Sequence, residues 1–226
     1  MSMLRFDAIV FDFDGVLVES VDVKTRAFAT LYEPYGLEVV GKVVAWHLEH
    51  GGVSRHEKFR HFHRAFLDRP LPAEEEARLA DRFSDLVEEA VIAAAWVPGA
   101  REFLDGWHAR LPLYVASGTP EAELVRIIER RGMGHFFAGV AGAPRRKGEI
   151  LRDFLGRSGV PPGRMLMVGD AMPDFDGAAE AGVPFLGVVP AGANPFPSGV
   201  PVLPDLQSFS AFLAEHKPSV SETERT

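Results

Sequence analysis

The chain contains no cysteine. That absence excludes disulfides, thiolate metal sites, iron–sulfur clusters and a cysteine nucleophile together. Positive charge is in deficit. Twenty-four Lys and Arg stand against 32 Asp and Glu, a formal charge of −8. A broad cationic surface, which non-specific binding to nucleic acid or an anionic membrane requires, is therefore not expected. Long apolar runs are missing as well. The N-terminal stretch MSMLRFDAIVFDFDG is interrupted by Asp7, Asp12 and Asp14, so it does not read as a signal-peptide core. No later stretch approaches the roughly 18 apolar residues of a membrane span. A cytoplasmic location is the default expectation.

What is present is an ordinary globular balance over 226 residues, 46% hydrophobic and 25% charged. The length suits one large domain, or a core with a smaller insertion. Residues Ala8 to Phe13 form an apolar and aromatic run that ends in Asp14-Gly15, with Asp12 inside it, as in a buried parallel strand whose carboxyl end emerges at Asp12. Leu111–Ala116, Met165–Val168 and Phe185–Val189 are similar runs. Helix-like segments, Pro120–Arg131, Gly148–Arg157 and Asp174–Ala181, separate them. This alternation predicts an α/β doubly wound parallel sheet, in which ligands bind beyond the carboxyl ends of the strands.

Residues 21–95 break the alternation. Phe59, Phe62 and Phe66, and Leu79, Phe83 and Leu86, carry helical spacing, and Pro34, Gly51-Gly52 and Pro70-Leu71-Pro72 look like turns between helices. A helical run of this length is too long for one crossover between strands. The expected division is a core of residues 1–20 and 96–216 and an inserted helical cap of 21–95, with Pro98-Gly99 as the return. The polar tail 217–226 reads as frayed.

Four polar stations fall at the strand ends: Asp12-Phe13-Asp14-Gly15-Val16, Ser117-Gly118-Thr119, Lys147, and Gly169-Asp170-Ala171-Met172-Pro173-Asp174. In kind and order they resemble the haloacid dehalogenase superfamily, and within it the phosphatase-like members with a helical cap after the first strand. The resemblance covers about residues 6–215. It implies a Rossmann-like core, a Mg²⁺ cofactor and hydrolysis of a small phosphorylated metabolite through an aspartyl-phosphate.

The chemistry is coherent on its own terms. A phosphate dianion repels an anionic nucleophile, so an acidic protein must concentrate positive charge locally, and a bridging cation allows a carboxylate to attack. Asp12 is expected to be the nucleophile. Asp14 is expected to start protonated, give its proton to the leaving alkoxide and then take one from water. The resemblance implies Asp12, the Asp14 carbonyl and Asp170 as Mg²⁺ ligands, with Asp174 as a further ligand or a partner that orients Lys147. It also implies Ser117, Gly118 and Lys147 as the phosphate site, with Ser117 and Lys147 among the catalytic residues.

In the insertion, Gly51–Phe59 resembles the specificity loop of related sugar-phosphate enzymes, which points to Arg55 as a contact for a second anionic group and more weakly to Lys58. Lys24 stands where many capped relatives carry a histidine that orders cap closure, which argues against a sugar-phosphate mutase of the β-phosphoglucomutase type. That mutase remains the nearest rival reading. A non-catalytic phospho-acceptor or binding protein is the rival from another class. The many histidines of 47–63 read as cap residues rather than a metal cluster. Oligomeric state is not readable.

Overall fold

A computed structural model describes residues 5–190 and 194–215. Six parallel strands form one sheet in the order β3-β2-β1-β4-β5-β6. In chain order they are β1 (Ala8–Phe11), β2 (Leu113–Pro120), β3 (Gly139–Ala143), β4 (Met165–Gly169), β5 (Phe185–Val188) and β6 (Val202–Leu203). The helices are α1 (Val21–Tyr32), α2 (Leu37–Glu49), α3 (Arg55–Phe66), α4 (Ala73–Ala93), α5 (Ala100–Trp107), α6 (Glu121–Arg130), α7 (Lys147–Ser158), α8 (Met172–Ala181) and α9 (Phe209–Glu215). This is the doubly wound α/β architecture expected from the sequence. The tail 217–226 lies outside the described residues.

β1 sits in the middle, paired with β2 on one side and β4 on the other. All four of its residues are buried, as both faces of a central parallel strand must be. Side chains alternate between the faces. Ile9 and Phe11 join one core, where Phe11 meets Phe103 of α5 at 5.8 Å and Phe209 of α9 at 5.9 Å between ring centroids. Ala8 and Val10 join the other, with Ile150, Leu151 and Phe154 of α7 and Ala178 of α8. Because helices cover both faces, polar groups are confined to the strand ends.

Some elements differ from expectation. β2 begins at Leu113 and runs through Ser117-Gly118-Thr119 to Pro120, because the main chain beyond Ala116 returns to β3 after a shift of register. β3 has the sequence GVAGA, too poor in large apolar residues to announce itself, yet it pairs along β2. The two-residue β6 and the short α5 and α9 were likewise not expected.

Helices α1 to α4 all lie between β1 and β2. Their common core is aromatic: the Phe28 ring lies 4.4 Å from Phe83 and 5.7 Å from both Phe59 and Phe62. Burying each such side chain contributes roughly 2–3 kcal/mol, which lets four helices cohere apart from the sheet. The two connections to the sheet run antiparallel and are hydrogen bonded to each other, Glu19 N to Ala95 O at 2.9 Å and Val97 N to Leu17 O at 3.1 Å.

Candidate active site

The carboxyl ends of β1, β2 and β4 open onto a cavity of about 870 Å³ whose opposite wall is formed by α1, α2 and α3. Asp12 continues β1, its amide donating to the Val168 carbonyl at 2.8 Å, and its side chain is buried. One carboxylate oxygen accepts from the Phe13 amide at 2.7 Å and lies 2.8 Å from Lys147 Nζ.

Lys147 opens α7 and reaches back under the site. It donates to the Ala116 carbonyl at 2.6 Å and also lies 2.6 Å from an Asp174 carboxylate oxygen. Burial alone would lower its pKa, but Asp12 and Asp174 outweigh that effect and raise it, so the lysine is firmly charged. Asp174 is wholly buried, and its other oxygen accepts from the Ala171 amide at 3.2 Å, capping α8. Asp174 contacts Lys147 and also offers a carboxylate oxygen to the acidic cluster, so its position accords with either role the sequence left open.

Asp12, Asp170 and Asp174 bring carboxylate oxygens within 4.8 Å of one another, the only such acidic or histidine cluster of three among the described residues. The cluster is short of positive charge. Burial, then Asp174, pushes Asp12 up to about 7 against the pull of Lys147. Burial, then Asp12, raises Asp170 well above the ordinary carboxylate range. An all-oxygen donor set in which one ammonium must balance three acids fits a hard divalent cation such as Mg²⁺.

Gly15 makes this approach possible. Its φ is +78°, and a Cβ there would come 2.4 Å from an Asp170 carboxylate oxygen.

Asp14 is held differently. One oxygen accepts from Ser20 Oγ at 2.5 Å. The other is ion-paired with Lys24 and accepts from Thr119 Oγ1 at 3.2 Å and Ser117 Oγ at 3.5 Å. Burial would push Asp14 up, but Lys24 and these hydroxyls prevail and hold its pKa low. The expectation that Asp14 starts as a protonated acid is therefore corrected: in this arrangement it is a carboxylate, because the Lys24 ammonium sits on it. Lys24 itself is committed to Asp14 and to Thr119 Oγ1, 2.9 Å away, rather than left free for a substrate.

Ser117 is buried, and its hydroxyl accepts from the Thr119 amide at 3.1 Å. At Gly118 the insertion touches the site, since a Cβ there would lie 2.5 Å from the Gly52 carbonyl. The turn between α2 and α3 thus rests on the end of β2.

Arg55 also departs from expectation. It lines the cavity, but its guanidinium is buried and engaged elsewhere, 2.5 Å from Glu123 of α6 and 2.6 Å from Ser84 Oγ of α4, and it packs on the Phe83 ring at 4.6 Å. It ties the insertion to the sheet-bearing part of the chain. Thr119, Ser20, His47 and Glu123 had no assigned role in the sequence. Thr119, in the Ser117-Gly118-Thr119 station, and His47, among the histidines of the insertion, stood in segments that drew attention. Among the histidines, His50 and His61 stack on Trp46 at 3.9 and 4.3 Å, and His63 is buried beside Tyr32.

Strand-end carboxylates converging with one lysine below a helical insertion define a hydrolase class, and comparison with known proteins agrees. The family model for haloacid dehalogenase-like hydrolases matches residues 6–182, and the chain belongs to that family. It is similar to a phosphoglycolate phosphatase of Rhodospirillum rubrum, 30% identical over 188 residues that cover 78% of this chain and 77% of the relative. It is 28% identical over 186 residues to a phosphoglycolate phosphatase of Pseudomonas savastanoi pv. phaseolicola; the match covers 77% of this chain but 66% of that longer relative. A solved β-phosphoglucomutase from Clostridium difficile shares the fold with a TM-score of 0.76 at 18% identity, covering 93% of this chain and 96% of the other. Among the described residues, no helix is long and apolar enough to cross a membrane.

Proposed function

We propose that this hydrolase is a Mg²⁺-dependent phosphatase that removes the phosphoryl group of a small phosphorylated metabolite through a covalent intermediate on Asp12. The observation that carries the reading is the cluster itself. Asp12, Asp170 and Asp174 lie within 4.8 Å of one another, with Lys147 bridging the first and last. The phosphoglycolate phosphatases similar to the chain support it from outside.

Asp12, the Asp14 main-chain carbonyl and Asp170 would hold the cation. When bound, it supplies charge that screens the nucleophile from the substrate dianion and polarises the phosphoryl group. An Asp12 carboxylate oxygen attacks phosphorus, forming the acyl-phosphate bond as the ester P–O bond breaks. Lys147 stabilises charge on Asp12 and on the transferring group, and Ser117 with the Gly118 amide holds phosphoryl oxygens. Asp14 protonates the leaving alkoxide and then removes a proton from the water that attacks phosphorus, releasing inorganic phosphate and restoring Asp12. Since Lys24 holds Asp14 ionised, the first proton transfer requires Lys24 to withdraw and Asp14 to take up a proton from solvent before the substrate is sealed in; that proton goes to the leaving alkoxide, and the proton then taken from the attacking water recharges Asp14 for the next turnover.

Residues 21–95 act in this reading as a cap domain that closes the cavity over substrate and excludes bulk water. Lys24 in place of the expected histidine favours hydrolysis over sugar-phosphate isomerisation. The test is release of inorganic phosphate from p-nitrophenyl phosphate with Mg²⁺ and with EDTA, alongside an assay for isomer formation from a β-sugar 1-phosphate. Metal-dependent phosphate release without isomer supports the phosphatase. Isomer formation as the faster reaction would replace it with a mutase.

A further inference from the structure

Helix α2 is apolar on two sides. One side faces the other helices of the insertion: Val43 and His47 are buried, and Val39 and Trp46 pack against the common core. The opposite side carries Leu37, Gly41, Val44, Ala45 and Leu48, with Val40 at its edge, positions that share one face of a helix. Leu37 is 88% exposed and Leu48 56%, the two most exposed large hydrophobic side chains among the described residues. Gly41 and Ala45, between them, are exposed as well. Exposed apolar residues standing singly need no explanation, but a continuous row of them marks a contact surface.

Gly41 is the informative position. Glycine inside a helix is less favourable than alanine. A Cβ at Gly41 would have nothing within 4 Å, so no contact in its own chain asks for glycine there. Its missing side chain leaves the main chain of α2 open between the two leucines, where another helix can come close. The row also reads alike in both directions. From either end it runs leucine, then a valine and a small residue three and four positions in, such a pair again at seven and eight, and leucine at eleven. An antiparallel two-fold contact joins one patch to itself and requires this kind of self-complementarity. Charge argues against a lipid surface as the occupant. The charged residues of α2 are Glu38, Lys42 and Glu49, with Lys42 already bound to Glu38 at 2.7 Å, whereas helices that lie on anionic membranes are rich in Lys and Arg.

We infer that α2 is a homodimer contact, its Leu37–Leu48 face packing antiparallel on the same face of a second copy of the chain. Leu48 also lines the catalytic cavity, so the contact adjoins the rim of that cavity. The face spans eleven residue steps, about 16 Å along the helix. One helix from each copy buries less than the roughly 1,200 Å² at which standard interfaces begin, which places the dimer among weak, reversible complexes.

Sedimentation velocity of the purified full chain, from about 1 to 200 µM, tests this. A reversible monomer–dimer equilibrium with a Kd on the order of 10 µM is expected. Leu37→Glu alters a side chain that its own chain barely covers, so it is expected to keep the wild-type Tm while raising Kd at least tenfold. Gly41→Leu adds apolar surface but closes the gap between the leucines. It is also expected to raise Kd, whereas unspecific hydrophobic association would tighten. A wild type that stays monomeric throughout would overturn the inference. So would a Leu37→Glu chain that dimerises as tightly as the wild type, or a Gly41→Leu chain that dimerises more tightly. Binding of the wild type, but not of Leu37→Glu, to vesicles of phosphatidylcholine with phosphatidylglycerol, without a dimer in solution, would give the face to lipid and overturn it as well.

Discussion

Glu123→Gln is a severe test of how the helical insertion is fastened to the rest of the chain. Arg55 and Glu123 are 4% exposed at their side chains, 2.5 Å apart, and joined by Ser84, which receives from Arg55 at 2.6 Å and donates to Glu123 at 2.7 Å. Their own burial leaves little solvent to screen the pair. Removing the carboxylate strands a guanidinium inside the protein, which costs about 3–5 kcal/mol. For a chain of this length each kcal/mol moves Tm by about 2–4 °C, so a fall of about 10 °C is expected. The double variant Arg55→Met with Glu123→Leu removes both charges and keeps apolar bulk against Phe83. It should regain most of the loss, because a buried ion pair contributes little net stability over an apolar pair of similar volume. Urea unfolding of wild type, Arg55→Met, Glu123→Leu and the double variant gives the coupling directly. A Glu123→Gln variant within 1 kcal/mol of wild type would refute the reasoning. So would a double variant whose loss is the sum of the single losses.

Gly15→Ala should lower kcat by at least 100-fold, since its Cβ meets the Asp170 carboxylate at 2.4 Å on a backbone of φ +78°; activity within fivefold of wild type would contradict the crowding. Acid should destabilise the fold through His47. Its folded pKa of about 3 lies below the ordinary 6.5, so the unfolded chain binds the extra proton and stability falls as pH drops below 6.5, by about 1.4 kcal/mol per pH unit. Urea midpoints from pH 7 to 5 for wild type and His47→Gln check this, and equal slopes would assign the acid loss elsewhere. EDTA should abolish phosphate release and Mg²⁺ restore it, whereas Ca²⁺, with its looser and higher coordination, should inhibit. Normal turnover with Ca²⁺ would count against the proposed metal geometry.

The parts of the molecule legible in its sequence are those where one physical demand dominates. β1 is buried on both faces, so it must be apolar, and the two acids at its end stood out because nothing else in the run was polar. β4 with Asp170 was visible for the same reason, whereas Lys147, the last of three cations in Arg145-Arg146-Lys147, was picked out by its spacing to Gly148-Glu149-Ile150-Leu151 and by the order of the family's motifs. β3 was not: a strand of small residues at the sheet edge has no large side chain to show a period. The contacts that span the cavity were also hidden. Arg55 and Glu123 lie 68 positions apart, and nothing local in either segment indicates that one will bury the other. Lys24 was noticed for what it replaces, but its effect on Asp14 follows from α1 laying its ammonium on that carboxylate, a tertiary fact.

The account rests on Asp12 forming a covalent bond to phosphorus. Acid-quenching Asp14→Asn enzyme during turnover of p-nitrophenyl phosphate with Mg²⁺, followed by peptide mapping, tests that bond directly, because slowing the water step lets the intermediate accumulate. One phosphoryl group on the side chain of Asp12 is the predicted result, with none in Asp12→Asn. Phosphate release with label on another residue, or an Asp12→Asn enzyme active within tenfold of wild type, would contradict it.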